Sequence, residues 1–201
     1  MSEPQKYQMF SKLTERENRI LERVIKGGIV MAKMTLARML NTTLVMQGTQ
    51  SGPLDHFSTK SSGELHVVKT GLMGDIDGAC FLILSKAEIE NMYEACLPPE
   101  VLNDTSAKGK IVKEGFIGEL DNIMSASVVT ELVDFIDIEL YGKVPEIHKI
   151  DAEDIQAYLN KEAEQFANTA FVSTYFQGLH VDVKPDFIWM FAENMADQFL
   201  K

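Results

Sequence analysis

The stretches ARMLNTTLVM at residues 37–46 and VDFIDIELYG at residues 133–142 share one pattern. In each, the end of a long helical pattern leads into a candidate β-strand. Farther along, HVVKTGLMG at residues 66–74 is similar to AFVSTYFQG at residues 170–178, at a slightly larger offset. A repeated order of elements at such spacing indicates two related units in one chain.

The two units contain the same kinds of elements. Thr14 and Glu17 form a candidate capping box before the first long helix. Apolar residues at helical spacing and alternating or continuous apolar runs predict the remaining elements. In the first unit these are helices at 20–41 and 85–97 and the strands TTLVM, ELHVVKTGLM and ACFLIL. In the second they are helices at 111–136, 151–165 and 192–200 and the strands IDIELYGKV, TAFVSTYFQGLHVDV and DFIWMF.

Each unit has one long helix and only a few strands, too little to bury a core alone. We therefore expect a single domain over residues 1–201, made of two related halves at about 14–100 and 106–201. The predicted fold class is mixed α+β. The two halves form a pseudo-twofold repeat that shares one central, mainly antiparallel sheet, with the long helices packed on it.

Composition excludes several classes of function. The formal charge of −11 argues against a nucleic-acid or anionic-membrane partner, because such partners require clustered Lys and Arg. The start MSEPQKYQMF has no apolar signal core, and no apolar run reaches membrane-spanning length. Two cysteines and four scattered histidines predict neither a disulfide framework nor a metal site. We expect a cytoplasmic protein without a metal of its own.

The segment GELDNIMSAS at residues 118–127 sets an acid and an amide three residues apart on the second long helix. Residues at this spacing are neighbours on a helix surface, so Glu119 and Asn122 should project together, opposite the apolar stripe. Ser125 and Ala126 continue this region with small side chains that leave the pair accessible. One alternative is an ordinary solvated helix face; the other is a short catalytic pair.

The wider pattern resembles a known family. The sequence E-L-D-N, followed by 22 residues and then Pro145, is similar to the signature of the CheC/CheX/FliY phosphatases of bacterial chemotaxis. The stretch ELDNIMSASVVTEL also resembles that family's E-I-G-N-I-G-S-G-N-A-A-T-A-L. One position departs from the pattern, because Gly115 stands where the family has Asp or Ser.

The resemblance implies a phosphatase of two-component signalling. It would hydrolyse the aspartyl phosphate of a phosphorylated CheY-like chemotaxis response regulator. Asn122 would position the attacking water, because an amide offers a donor and an acceptor at one tip, and Glu119 would pair with a lysine of the partner. Pro145 would have a structural role. Any Mg²⁺ would belong to the response regulator.

The first half lacks the pair. In register with the second half, Arg23 stands where the acid belongs and Lys26 where the amide belongs, so these degenerate counterparts are not expected to be catalytic. Gly115 and this altered half leave an alternative open, a non-catalytic CheC-like protein that binds a response regulator, the deamidase CheD or the flagellar switch. A homodimer is a further expectation from the CheX type. A third possibility is an unrelated domain with a chance motif.

Overall fold

A computed structural model describes residues 9–52, 62–166 and 169–201. The helices are α1 Glu15–Met39, α2 Lys86–Cys96, α3 Pro99–Leu102, α4 Ala107–Ile136, α5 Ile155–Ala163 and α6 Asn194–Phe199. The strands are β1 Leu44–Gly52, β2 Glu64–Gly74, β3 Gly78–Ser85, β4 Leu140–Gly142, β5 Glu146–Asp151, β6 Ala170–Gly178 and β7 Asp186–Phe191.

Side-chain caps fix where the helices begin. The predicted capping box at α1 is confirmed: the Thr14 hydroxyl accepts from the Glu17 amide, and the Glu17 carboxylate accepts from the Thr14 amide at 2.7 Å. Ser85 and Glu88 form a second capping box at α2. At α4 the Ser106 hydroxyl accepts a 3.1 Å hydrogen bond from the Gly109 amide. Each cap satisfies backbone N–H groups that have no partner within the helix.

All seven strands join one sheet in which every pairing is antiparallel. The order is β1-β6-β7-β3-β2-β4, and β5 also pairs with β2. Exchanging the halves converts this order into itself, because β1 replaces β4, β6 replaces β2 and β7 replaces β3. The first strand of each half therefore pairs with a strand of the other half. The predicted fold class, a pseudo-twofold mixed sheet and helix structure, is confirmed.

Backbone details repeat between the halves. Asn41 follows α1 and Asp137 follows α4, and both have left-handed backbone with φ of 46° and 60°. Three residues later, Leu44 and Leu140 are buried at the starts of β1 and β4. The register against the neighbouring strand then shifts by one residue in both halves, between Met46 and Thr49 and between β4 and β5. The repeat therefore extends to the strand irregularities.

Helices cover both faces of the sheet. The long helices α1 and α4 pack against each other and on one face, where they enclose the larger apolar core together with Trp189 and Phe187. The smaller helix α5 covers the other face through Ile155 and Leu159. Because both faces are covered, the central strands β3 and β7 are almost completely buried.

The long helices α1 and α4 approach each other closely at Gly28. A Cβ atom on Gly28 would lie 2.6 Å from the Val128 Cα atom, so only glycine allows this approach.

Two features differ from the prediction. The strand after α4 ends at Gly142, and the unpredicted β5 continues along β2; the connector between the halves also contains the short helix α3. Within the described ranges, no helix is both long and apolar enough to cross a membrane.

Candidate functional site

The predicted acid–amide pair lies on the outer face of α4. Glu119 and Asn122 are both exposed, while Leu120 and Met124 on the opposite face are fully buried. Among the described residues, neither polar side chain has a hydrogen bond or an ion pair. The side chains are therefore available to another molecule, as the sequence analysis expected of an accessible pair.

Small residues surround the pair on the helix surface. Gly115, Gly118 and Ala126 lie within one or two turns of it on the same side, and a Cβ atom at Gly115 would meet nothing within 4 Å. Ser125 does not continue this accessible surface as predicted, because it is buried in the helix packing and donates a 3.1 Å hydrogen bond to the Asn122 carbonyl oxygen. Because the neighbouring side chains are small or absent, the Glu119 and Asn122 side chains protrude from the helix surface.

Pro145 lies next to the pair in space, 23 positions after it in sequence. The residue is half-buried in the segment between β4 and β5, where the register along β2 shifts. A Cβ atom at Gly118 would be 4.0 Å from the Pro145 Cβ atom, which is an ordinary van der Waals distance. The Lys143 amide, just before this segment, donates a 2.8 Å hydrogen bond to the Gly71 carbonyl. The hydrogen bond fixes this segment to β2, and Pro145 lies beside Gly118 of α4.

An open groove continues from Asn122 along α4 toward β4. Its volume is about 380 Å³, and it is bounded by Ala126, Val129 and Thr130 on the helix and by Tyr141 on the strand. The Tyr141 side chain is 57% exposed at the rim. A groove of this openness suits the surface of a docked protein better than an enclosed small molecule.

Beneath the pair, Asp121 is completely buried on the opposite face of α4. The Thr70 hydroxyl donates a 2.6 Å hydrogen bond to Asp121 Oδ2, and the Cys80 sulfur lies 4.0 Å from Oδ1. Burial raises the pKa of the Asp121 carboxyl to about 7, against the smaller opposing effect of the Thr70 hydrogen bond. Burial also raises the pKa of the Cys80 thiol well above its usual value. The burial of Asp121 was not predicted, although this residue falls at helical spacing from Ile117 and Met124.

A second, smaller cleft of about 180 Å³ lies between α2, β2, β5 and the first half of α4. His66, Tyr93 and Glu114 contribute to its walls. Burial, with a contribution from Lys149, lowers the pKa of His66, and burial raises the pKa of Tyr93 to about 12. In the part of the chain that the structure describes, no three His, Cys, Asp or Glu residues are grouped so as to hold a metal ion.

The first-half counterparts of the pair lie on the outer face of α1. Arg23 is exposed, and Lys26 forms a 2.8 Å ion pair with Glu22. Glu22 also accepts a 3.0 Å hydrogen bond from the Ser51 hydroxyl on β1. The structure therefore brings together Glu119, Asn122 and the Pro145 segment, whereas Arg23 and Lys26 lie on a separate helix.

Solved structures share this fold. FliY from Thermotoga maritima superposes with a TM-score of 0.63 at 16% identity, covering 94% of this chain and 96% of that one. CheX in the CheX–CheY–BeF₃–Mg²⁺ complex from Borrelia burgdorferi gives 0.53 at 15% identity, covering 81% and 95%. A chain of the FliG–FliM complex from H. pylori gives 0.58 at 8% identity, covering 94% and 99%.

No protein-family model matches the sequence, and no curated protein sequence matches it. At these identities the likeness establishes the fold, which is that of chemotaxis and flagellar switch proteins. The fold resemblance inferred from the spacing of Glu119, Asn122 and Pro145 is confirmed. The roles of those residues stay predictions.

Proposed function

We propose that this protein is a chemotaxis phosphatase that hydrolyses the aspartyl phosphate of a phosphorylated CheY-like response regulator. The observation that carries the proposal is the exposed Glu119–Asn122 pair, which has no partner among the described residues. It occurs on the fold of FliY and CheX, one of which was crystallised with CheY. The motif and its place on that fold support the same partner independently.

The chemistry requires little of the phosphatase. An acyl phosphate is already activated, so catalysis consists mainly of placing one water in line with the leaving oxygen. The Asn122 amide would accept a hydrogen bond from this water and donate one to a phosphoryl oxygen. Glu119 would form a charge-assisted hydrogen bond with a lysine of the regulator and fix the docked orientation. The Mg²⁺ would be bound by the regulator.

The groove between α4 and β4 gives the regulator a surface beside the pair. Tyr141 at its rim provides an exposed aromatic contact, a residue type enriched where proteins bind each other tightly. The low side chains at Gly115, Gly118 and Ala126 would let the regulator approach the α4 backbone closely. The site would act in a protein of the cytoplasm, where response regulators are phosphorylated.

The test is the rate of phosphate release from a CheY-like regulator phosphorylated with acetyl phosphate. We expect Asn122→Ala to reduce the stimulated rate at least about 100-fold, because positioning of the water is lost. Glu119→Ala should raise the regulator concentration needed for half-maximal rate. Asn160→Ala on α5 and Glu131→Ala farther along α4 are matched controls on exposed positions and should retain the wild-type rate. Equal rates for Asn122→Ala and wild type would exclude the mechanism.

A second candidate is a non-catalytic protein of this fold that binds a response regulator, CheD or a component of the flagellar switch. Gly115 favours it, because the family's Asp or Ser is missing there. The likeness to the FliG–FliM complex favours the switch component. Binding of the phosphorylated regulator with no acceleration of phosphate release would support this candidate. CheD binding and a homodimer stay predictions.

A further inference from the structure

All four arginines of the chain lie on α1, at positions 16, 19, 23 and 38. The helix also contains Lys26 and Lys33, so it has six basic residues against three glutamates. The rest of the chain has 13 Lys and Arg against 27 Asp and Glu. Solubility requires only charge, and lysine provides the positive charge everywhere else. The arginines therefore form a distinct basic surface on an acidic protein.

The basic residues share the outer side of the helix. Arg16 and Arg23 are seven residues apart, which returns to within about 20° on a helix, and Val30 and Met34 continue the same line. The opposite side contains the fully buried Leu21, Ile25 and Ile29. From Arg16 to Arg38 the surface is about 33 Å long at 1.5 Å per residue. We refer to this surface, Arg16, Arg19, Arg23, Lys26, Lys33 and Arg38 with Val30, Met31 and Met34, as the arginine face.

Four of its six cations form no ion pair within the described residues. In ranges 9–52, 62–166 and 169–201, Arg19 pairs with Glu15 at 3.1 Å and Lys26 with Glu22 at 2.8 Å. Arg16, Arg23, Lys33 and Arg38 have no ion pair there. An exposed guanidinium is a planar fork of donors that matches a carboxylate with two parallel hydrogen bonds. The arginine face is therefore suited to carboxylates from outside the chain.

Apolar side chains lie among these cations toward the end of the helix. Met31 and Met34 are 42% and 45% exposed, and Val30 is half-buried beside them. Methionine is flexible and polarizable, and it adapts to apolar partners of varied shape. A ligand that satisfies the whole face would present carboxylates together with apolar side chains along one line.

Charge and size distinguish the possible ligands. A nucleic-acid duplex or an anionic membrane is wider than one helix and would also meet the acidic surface of the rest of the chain, which repels it. A symmetric dimer through this face would set arginines against arginines. A single acidic helix is about 10–12 Å wide, so it could lie along the face and meet fewer of those acids, although the Glu131 carboxylate reaches the face at Gly27. We propose that the arginine face of α1 binds an acidic, amphipathic helix of another protein.

The probe is a fluorescein-labelled peptide of 18 residues, with Glu along one helical face and Leu along the other. We expect wild-type protein to bind it in an anisotropy titration at 50 mM NaCl and at least about tenfold more weakly at 200 mM NaCl. R16E/R23E should weaken binding at least about tenfold at 50 mM NaCl. R16K/R23K keeps the charge but loses the fork, and should weaken it about threefold.

The matched control is K108E/K110E, which makes the same charge change on exposed positions at the start of α4 and should bind within twofold of wild type. Equal affinity of R16E/R23E and wild type would overturn the proposal, as would equal weakening by the control. So would arginine-dependent binding to phosphatidylserine vesicles in preference to the peptide, or a wild-type dimer that R16E/R23E dissociates. Circular dichroism checks the fold of each variant. Phosphate release, which does not depend on this surface, tests the proposed function separately.

Discussion

The outer faces of α4 and α1 occupy equivalent positions in the two halves but present opposite chemistry. On α4, Glu119 and Asn122 protrude among glycine and alanine positions and have no partner among the described residues. At the equivalent positions on α1, Arg23 is a cation and Lys26 is held by Glu22 at 2.8 Å. A repeated backbone therefore does not repeat a site, because the side chains at and around the pair differ between the two helices.

The neighbouring positions explain the difference further. Gly118 has no side chain beside Pro145, whereas its counterpart Glu22 accepts a hydrogen bond from the Ser51 hydroxyl on β1 and forms an ion pair with Lys26. On α1, Glu22 and Lys26 are thus engaged with neighbouring side chains, while Arg23 stays exposed. Beneath it, the counterpart of Asp121 is the fully buried Ile25. The two helices therefore differ both in the exposed residues of the outer face and in the buried residue beneath it.

Exchanging the pair should produce the largest effect. We expect E119R/N122K, which gives α4 the residues of α1, to reduce stimulated phosphate release at least about 100-fold, because it removes the amide proposed to position water and would set a cation against the lysine proposed to pair with Glu119. Both positions are exposed, so the thermal unfolding midpoint should stay close to wild type. The measurement is phosphate release at saturating regulator.

The reverse exchange sharpens the comparison. Adding R23E/K26N to the N122A variant should restore no activity, since Glu22 and Arg19 still occupy the positions that correspond to Gly118 and Gly115. Recovery of phosphate release in this triple variant would contradict the importance of the surroundings and show that the pair alone is sufficient.

Substitution of a glycine where α1 and α4 cross should have the next largest effect, on the stability of the fold. Gly28→Ala places a methyl group 2.6 Å from the Val128 Cα atom, and we expect it to lower the free energy of unfolding by about 2–3 kcal/mol. Gly27→Ala is the matched control, because its Cβ would only reach 3.8 Å from a Glu131 carboxylate oxygen and alanine favours helix by up to about 1 kcal/mol. Urea unfolding measures both. A Gly28→Ala protein as stable as Gly27→Ala would disprove the close approach.

The buried acid gives a smaller effect that depends on pH. The folded pKa of Asp121 is about 7 against an ordinary value of 3.8, so the folded state holds a proton that the unfolded state releases. The free energy of unfolding should therefore fall as pH rises from about 4 to about 7, by up to roughly 1.4 kcal/mol per pH unit, and then level off. Asp121→Asn keeps the acceptor for the Thr70 hydroxyl and removes this slope.

The measurement is urea unfolding of wild type and Asp121→Asn at pH 4.5, 6 and 8. The free energy of unfolding of Asp121→Asn, relative to that of wild type, should increase from pH 4.5 to pH 8. Asp134→Asn, an exposed change on the same helix, should alter stability by less than about 0.5 kcal/mol at each pH. Parallel pH curves for wild type and Asp121→Asn would mean that the carboxyl is already ionised in the folded protein.

Local signals made much of this fold predictable. Capping residues close by in sequence indicate the helix beginnings at Thr14 and Ser85, and the apolar runs ACFLIL in β3 and FIWMF in β7 indicate central strands. The strand β5 could not be predicted in this way, because EIHKID is largely exposed and its pairing with β2 is a long-range property. Strand pairing of this kind depends on which surface is free after the rest has packed.

The candidate site was likewise predictable only where it depends on local sequence. Helical spacing alone places Glu119 and Asn122 side by side and opposite the core. The approach of Pro145 to Gly118 depends on how β4 and β5 run along β2, which local sequence does not encode. Ser125 illustrates a boundary case: it is small and polar, and only its angle relative to Met124 and Val128 indicates that it is buried.

The exchange of first strands between the halves also constrains how the molecule forms. Leu44 pairs with Gly178 and Leu72 with Gly142, so both outer pairings join segments that are far apart in sequence. Closing loops of that length costs chain entropy before any contact offsets it, and topologies of this kind fold slowly. On the ribosome, β1 would emerge long before β6 and remain an unpaired sheet edge until the second half is nearly complete. The symmetry of the finished sheet thus makes its first strand dependent on one of the last to be synthesised.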